Sequence, residues 1–286
     1  MKKWHLIIDV EKCEDCNNCF LACKDEHVDN DWTPITASQS RHGQRWCNIM
    51  RKERGQYPLI DVAYRPTPCM HCDDAPCITK AENGAVYKRP DGIVIIDSQK
   101  ARGQKQLVAS CPYGAIWFND ELQLPQKCTL CVHLLDQGWQ KTRCVQACPT
   151  GAMVLVGAED AEIKARIKAQ DLKSLHPEYG TRPRVYYRNL YRYDRCFIAG
   201  SVATAVDGVV DCVANAKVIL NKDGQKTDTA LSNAFGDFKF DNLEKNSGAY
   251  DLEIAQSGFQ TTNISIDLKE SQSVPDIVLT QLLFTR

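Results

Sequence analysis

The spacing of the cysteines is the feature that most constrains what this chain can fold into. Cys13, Cys16, Cys19 and Cys23 follow the pattern C-x2-C-x2-C-x3-C. In such a run the first three thiolates bind one four-iron cluster from a short loop, and the fourth binds a different cluster. The pattern therefore predicts [4Fe–4S] clusters that share ligands from separate parts of the chain.

Three further cysteine groups follow along the chain. They are Cys69-x2-Cys72-x4-Cys77, then Cys111-Pro112, then Cys128-x2-Cys131-x12-Cys144-x3-Cys148-Pro149. A cysteine–proline pair ends the third and fourth groups, as it ends the bacterial cluster-binding run. The same sharing rule therefore pairs the first group with the fourth and the second with the third.

This pairing predicts three complete sets of four thiolates, which we name the first, second and third quartets. The first quartet is Cys13, Cys16, Cys19 and Cys148; the second is Cys23, Cys128, Cys131 and Cys144; the third is Cys69, Cys72, Cys77 and Cys111. At the positions where a fourth cluster would need thiolates, the chain has Ala81, Ala101, Gln104 and Leu107. Because all four of those ligands are missing together, we predict three [4Fe–4S] clusters and no fourth.

Two other roles for the cysteines fit the pattern less well. Disulfides are typical of short secreted chains, whereas this chain has 286 residues and groups its cysteines at short gaps. Paired C-x2-C groups also suit zinc, but the four-cysteine run is a poor zinc pattern. The remaining thiols, Cys47, Cys196 and Cys212, are interpreted as having no role. His71 and His133 lie inside cluster loops, where they are expected to pack the loop or to hydrogen-bond to a cluster.

Composition and charge exclude several classes of function. The formal net charge of −1 gives no electrostatic case for binding nucleic acid. The longest apolar runs, such as residues 93–96, are far shorter than the ~20 residues of a membrane helix. The apolar run at residues 6–10 is too short for a signal-peptide core. We therefore expect a cytoplasmic protein without a membrane segment.

The character of the chain changes near Phe197. Before it, residues 159–172 have the periodicity of a helix, and residues 182–193 are rich in Tyr and Arg. That basic stretch is interpreted either as an irregular surface strand or as a partner-docking tail. After it, short β runs alternate with turns, which is typical of a β-sandwich. We predict two domains, 1–196 with the cysteine motifs and 197–286 with the sandwich.

The motifs together resemble a known family. The stretches that carry the likeness include residues 15–20, 65–72, 111–114, 126–129, 183–187 and 235–240. They resemble the iron–sulfur subunits of DMSO-reductase-type molybdopterin oxidoreductases, and within them the small subunits of transhydroxylases that act on polyhydroxylated benzenes. The likeness implies an α+β fold, with a ferredoxin-like double [4Fe–4S] domain followed by an all-β sandwich of the prealbumin or carboxypeptidase-regulatory type.

The resemblance also implies a partner. A large catalytic subunit would carry molybdenum on two pterin guanine dinucleotides in a heterodimer, and this chain would supply electron transfer and no catalytic residue. Two further functions are an electron-transfer subunit of a phenolic hydroxylase or dehydroxylase, and one of a respiratory molybdopterin reductase. A binding role led by the sandwich is a separate alternative.

Overall fold

The computed structural model describes residues 2–206 and 208–282. The chain divides into two compact units. The first, which we call the cysteine unit, comprises Met1–Arg51 and Tyr64–Leu190. The second, the sandwich unit, comprises Lys52–Ala63 and Tyr191–Arg286. The second unit thus takes in a short segment from the first third of the chain, in addition to the C-terminal part.

Short elements separated by loops make up the cysteine unit and the hairpin that leads into the sandwich unit. In chain order they are β1 (Lys3–Asp9), α1 (Asn18–His27), β2 (Asn48–Gln56), β3 (Leu59–Thr67), α2 (Pro76–Lys80), β4 (Val86–Lys88), β5 (Val94–Ile96), α3 (Gln106–Ala109), β6 (Trp117–Asn119), β7 (Leu124–Gln126), α4 (Val132–Asp136), α5 (Arg143–Gln146), β8 (Met153–Ala158), α6 (Asp160–Ala169), β9 (Lys173–Ser174), a 3-10 turn (Pro177–Tyr179) and β10 (Val185–Arg188).

The largest sheet of the cysteine unit has the strand order β8-β1-β10-β9. Strand β1 pairs with β8 antiparallel and with β10 parallel. Helix α6 covers this sheet through Ile163, which packs with Ile7 and Val156. The predicted helix over residues 159–172 is therefore confirmed, although it ends at Ala169. The left-handed backbone of Asp171, with φ of 47°, prevents its continuation.

The Tyr- and Arg-rich stretch at residues 182–193 contains an inner strand, so its interpretation as an irregular surface strand was wrong. Strand β10 lies between β1 and β9, and Tyr187 is completely buried. The Tyr187 hydroxyl donates a hydrogen bond of 3.0 Å to the Pro66 carbonyl. Arg184 is also buried and pairs with Asp73 at 2.7 Å. Pairing with a strand almost 180 positions earlier in the chain, as in Leu6 opposite Val185, decides this placement.

The sandwich unit consists of two sheets, one mixed and one antiparallel. Its further elements are α7 (Tyr191–Asp194), β11 (Cys196–Val206), β12 (Val209–Cys212), β13 (Lys217–Lys222), β14 (Gln225–Leu231), β15 (Asp237–Leu243), β16 (Gly248–Ala255), β17 (Thr262–Leu268), β18 (Gln272–Ser273) and β19 (Ile277–Leu279). One sheet is built around β11, which pairs with β12, β15, β18 and β19; the other has the order β14-β13-β16-β17. Alternating apolar side chains from both sheets, such as Ile198, Phe240, Leu220 and Leu252, form one core between them.

The tip of the β2–β3 hairpin belongs to the sandwich unit and is held there by charge. The Arg54 side chain is almost fully buried and pairs with Asp61 and with Asp241. Asp61 also accepts hydrogen bonds from Arg192 at 2.8 Å and from Lys239 at 2.9 Å. Buried charges are tolerated when they are paired in this way.

Candidate iron–sulfur sites

The first quartet is organised by the loop after β1. Asp15 and Asn17 have left-handed backbones, with φ of 54° and 60°, which curl the loop around its cysteines. The Asn17 side chain donates a hydrogen bond of 2.7 Å to the Asp15 carbonyl. These bends bring Cys13 to the start of α1, where Cys19 lies. Cys16 lies in the same loop and is exposed.

The fourth member of the first quartet comes from the other end of the motif region. Cys148 follows α5 and approaches the loop after β1. Burial raises the pKa of the Cys13 thiol to about 11, and the nearby sulfurs of Cys19 and Cys148 add to the rise. The structure therefore brings Cys13, Cys19 and Cys148 together, as the sharing rule predicts.

The second quartet surrounds Cys23 on the last part of α1. Burial raises the pKa of the Cys23 thiol far above its usual value, and the three sulfurs that add to this rise are the other members of the quartet. They are Cys128, Cys131 and Cys144. Leu130 and Cys131 have left-handed backbones, which turn this loop into α4.

The third quartet gathers around Cys72. Burial raises the pKa of Cys72 to about 12, and the sulfurs of Cys69, Cys111 and Cys77 add to the effect. Burial likewise raises the pKa of Cys77 to about 11. Cys77 lies on α2 behind Pro76, and Cys111 follows α3. The structure therefore brings all four members of the third quartet together.

The chemistry of these donors fits clusters of iron. Closely spaced buried thiols resist losing their protons, because the resulting thiolates would repel each other. They become thiolates only where a cation compensates their charge. Backbone N–H groups of His71, Ala115 and Leu130 also donate to the sulfurs of Cys69, Cys111 and Cys128, each at 3.4 Å. Such bonds stabilise negative charge on sulfur and are typical of iron–sulfur proteins.

In the described part of the chain, no group of three or more Cys, His, Asp or Glu side chains is arranged to hold a single metal ion.

The positions of the missing fourth set are filled by packed side chains. Ala101 and Leu107 are completely buried. The Gln104 side chain accepts a hydrogen bond from Glu82 N at 3.0 Å and donates to the carbonyls of Lys100 and Glu82 at 3.0 and 3.3 Å. This amide joins the segment next to Ala81 to the turn before α3. Gln104 is therefore a structural clamp.

The two histidines of the cluster loops make contacts within the protein. His71 Nδ1 accepts a hydrogen bond of 3.1 Å from Val94 N, and burial holds the pKa of His71 well below its usual value. His133 Nε2 lies 2.9 Å from Glu26 Oε1, and its ring stacks on Trp32 with centroids 4.1 Å apart. Both contacts fix the loops that carry cysteines.

Two side chains near the quartets escaped the sequence analysis. Cys47 is buried and hydrogen-bonds to Cys19 of the first quartet and Cys144 of the second. Its isolated position in the sequence carries no spacing signal. Lys127 is also buried, and its position directly before Cys128 was the available signal. The other leftover thiols lie in the sandwich unit, where Cys196 is buried and Cys212 is exposed.

Comparisons with known proteins identify the families that this chain matches. The family model of the 4Fe-4S dicluster domain matches residues 60–158, and that of the carboxypeptidase regulatory-like domain matches residues 198–280. The chain is 46% identical to the pyrogallol hydroxytransferase small subunit of Pelobacter acidigallici, over 90% of this chain and 92% of that protein. The chain belongs to the iron–sulfur subunits of the molybdopterin oxidoreductases.

Other members of this family are similar over a smaller part of the chain. The iron–sulfur subunit ArrB of the arsenate respiratory reductase of Shewanella sp. is 30% identical, over 64% of this chain and 94% of that protein. One subunit of the sulfite dehydrogenase of Allochromatium vinosum is 32% identical, over 65% of this chain and 83% of that protein.

Membership of the family confirms several predictions. The predicted fold class, a ferredoxin-like double-cluster domain followed by a prealbumin-type sandwich, is confirmed. The chain is an iron–sulfur electron-transfer subunit of a molybdopterin enzyme. Within the described residues, no helix is long and apolar enough to cross a membrane. The predicted division at residue 197 stays a prediction.

Proposed function

We propose that the twelve cysteines of the three quartets bind three [4Fe–4S] clusters. The observation that carries the proposal is the grouping of the sulfurs. Cys23 has the other three members of the second quartet around it, and Cys72 has the other three members of the third. The first quartet is supported by the closeness of Cys13 to Cys19 and Cys148.

The role of this chain would be to hold the clusters in place. When bound, such clusters take up and release single electrons. The cysteine sulfurs would bind iron, the backbone N–H groups would stabilise the negative charge on sulfur, and burial of most of the thiols would exclude water. No residue of this chain is proposed to act on the substrate.

We infer that the partner is a large catalytic subunit that carries molybdenum on two pterin guanine dinucleotides, in a heterodimer. The proposed substrates are polyhydroxylated aromatics. Support comes from the extent of the similarity, because the likeness to the pyrogallol hydroxytransferase small subunit covers 90% of the chain. The arsenate and sulfite relatives match only about two thirds of it.

A second candidate is an electron-transfer subunit of a respiratory molybdopterin reductase, or of a phenolic hydroxylase or dehydroxylase. The similarity over 94% of ArrB favours the respiratory form. The two candidates differ in whether electrons leave the enzyme. A transhydroxylase needs no external acceptor, whereas the second candidate transfers electrons to or from a further carrier.

Metal analysis tests the proposed clusters. The chain should be purified without oxygen, together with any large subunit that binds it. We expect about twelve iron atoms per chain, four for each cluster, and molybdenum on the partner. Cys111→Ala should lower the iron to about eight, while Cys212→Ala, a change of an exposed thiol, should leave it at about twelve. About sixteen iron atoms without molybdenum would contradict both the cluster count and the partner.

Turnover tests the proposed reaction. We expect the purified complex to transfer hydroxyl groups between polyhydroxylated benzenes such as pyrogallol without an added electron acceptor. A strict requirement for a soluble acceptor or donor would support the second candidate instead. The cytoplasmic location is also a proposal, and cell fractionation with antibodies against this chain would test it.

A further inference from the structure

Lys127 is a buried positive charge without an acidic partner. Only 3% of the surface of this residue is exposed to solvent. Nζ donates hydrogen bonds to the carbonyl of Val94 and, at 3.1 Å, to that of Cys128. Among the described residues, no Asp or Glu forms an ion pair with it. A buried ammonium normally needs a compensating negative charge, so this charge must come from other groups.

Loops of two quartets meet at this ammonium. Nζ donates a hydrogen bond to the carbonyl of Cys128, a member of the second quartet. Its other acceptor is the carbonyl of Val94, whose N–H donates to the ring of His71, between Cys69 and Cys72 of the third quartet. The N–H of His71 in turn donates to the Cys69 sulfur at 3.4 Å. Lys127 therefore lies beside the ligands of both quartets.

Strand β5 fixes the position of the ammonium. Val94 donates its N–H to His71 Nδ1 at 3.1 Å and accepts a hydrogen bond from Lys127 through its carbonyl. Val94 is itself buried and pairs with Lys88 in the β4–β5 hairpin. The ammonium is thus held in a rigid place, and its charge is little screened by solvent ions.

We propose that Lys127 raises the reduction potentials of the clusters held by the second and third quartets and leaves that of the first quartet unchanged. The inference rests on the proposed three-cluster function. Adding one electron to a cluster adds one negative charge, and no bond is made or broken. A fixed positive charge nearby stabilises the reduced form in a medium of low dielectric constant.

This placement gives the chain a direction for electron transfer. A single lysine shared by two clusters raises both potentials together, so the difference between those two changes little. The difference between them and the first cluster increases. The lysine therefore favours the transfer of one electron from the first cluster to the second.

Neutral variants of Lys127 test the proposal in the full chain with its bound partner. Lys127→Met removes the charge and both hydrogen bonds, and Lys127→Gln removes the charge but keeps an N–H donor. Lys105→Met removes an equal charge from a side chain that is 72% exposed, as the control. Potentials are measured by titration monitored with electron paramagnetic resonance, and iron is counted in every sample.

We expect two of the three potentials to become more negative in both neutral variants and the third to stay in place. At a fixed potential, the ratio of reduced to oxidised cluster should fall at least tenfold, which is about 59 mV for one electron. Lys127→Arg, which keeps the charge, and Lys105→Met should retain the wild-type potentials.

Several outcomes would overturn the proposal. Unchanged potentials in Lys127→Met would show that the charge does not act, and wild-type potentials in Lys127→Gln alone would assign the effect to the hydrogen bonds. If both neutral variants lack about four iron atoms or more, Lys127 is required for assembly and the proposed role is wrong. Wild-type protein with fewer than three clusters would instead contradict the proposed function.

Discussion

At the scale of single residues, Cys47 contacts sulfurs of the first and second quartets that are far apart in the sequence. Its thiol hydrogen-bonds to Cys144 and Cys19, and these bonds, together with burial, hold the pKa of Cys47 well above its usual value. The thiol therefore keeps its proton and serves as a donor. Cys19 and Cys144 belong to different quartets, so Cys47 lies where the first and second quartets approach each other.

Replacing Cys47 by alanine should lower the reduction potential of at least one of these two clusters. Hydrogen bonds to cluster sulfurs stabilise the reduced form, and alanine has no donor. Redox titration with the same spectroscopic detection measures the shift. Cys47→Ser retains a donor and should stay close to wild type, as should Cys212→Ala. A shift confined to the third cluster would contradict this reasoning.

Gln104 gives a second prediction for a single residue. Gln104→Ala removes three part-buried hydrogen bonds between this side chain and the backbone of Glu82 and Lys100. Loss of such a hydrogen bond costs about 0.5–1.5 kcal/mol. We expect a lower denaturation midpoint by circular dichroism. Gln106→Ala is the matched control, because Gln106 makes one long bond of 3.3 Å at the surface. Equal midpoints for the two variants would argue against the clamp.

At the scale of elements, a cluster of paired charges holds the tip of the β2–β3 hairpin. Burial alone would raise the pKa of Asp61, yet Lys239 and Arg54 hold it at about 2, below the ordinary 3.8. A carboxyl with a lowered pKa in the folded state stabilises the fold above its unfolded pKa. That stabilisation is lost as the pH falls through the folded pKa.

Asp61→Asn should therefore destabilise the sandwich unit by roughly 2 kcal/mol at pH 7. The difference from wild type should be nearly complete at pH 6 and should begin to shrink below about pH 4. Denaturant unfolding at pH 7, 6 and 3 measures it. Asp228→Asn is a suitable control, since Asp228 is exposed on β14. A difference that grows towards pH 3 would contradict the assigned sign.

The elements also show how far sequence reasoning reached. The strands of the sandwich were predicted because their apolar residues alternate, as in residues 250–254. The β2–β3 hairpin was missed because β2 has a run of charged residues and is largely exposed, and the partners of Arg54 include Asp241, far away in the chain. Strand β10 was misjudged because Tyr and Arg are typical of surfaces, whereas parallel pairing with β1 buries them.

The proposed grouping of the cysteines rests on a different kind of signal. The sharing rule depends on cluster chemistry and on short local spacings, which the sequence displays directly. Lys127 and Cys47 act through space on sulfurs of separate motifs. No local pattern marks such contacts, so their roles required the three-dimensional arrangement.

At the scale of the whole molecule, the sandwich unit includes the tip of a hairpin from the cysteine region. Removing residues 197–286 takes away Asp241 and Lys239, so Arg54 and Asp61 lose partners in their own unit. We expect the truncated chain to have a low soluble yield, because a buried arginine becomes partly unpaired. Its soluble fraction should still contain about twelve iron atoms per chain.

A second truncation provides the control. Removing residues 197–286 and also replacing residues 52–63 by an Asn-Gly turn shortens the hairpin to its first pairs. This variant should recover soluble yield, as measured by gel filtration and metal analysis. If the simple truncation is as soluble as the full chain, the hairpin tip does not depend on the sandwich.

The crossed pairing proposed for the cysteine groups would set an order for cluster assembly during synthesis on the ribosome. The third quartet closes within residues 69–111, so its ligands are all synthesised early. The second quartet is complete only after Cys144 has been synthesised, and the first only after Cys148. Each of these two quartets nevertheless includes a cysteine before residue 24. The N-terminal thiols therefore emerge first and are completed last, and for more than a hundred residues of synthesis they must be kept reduced without their partners.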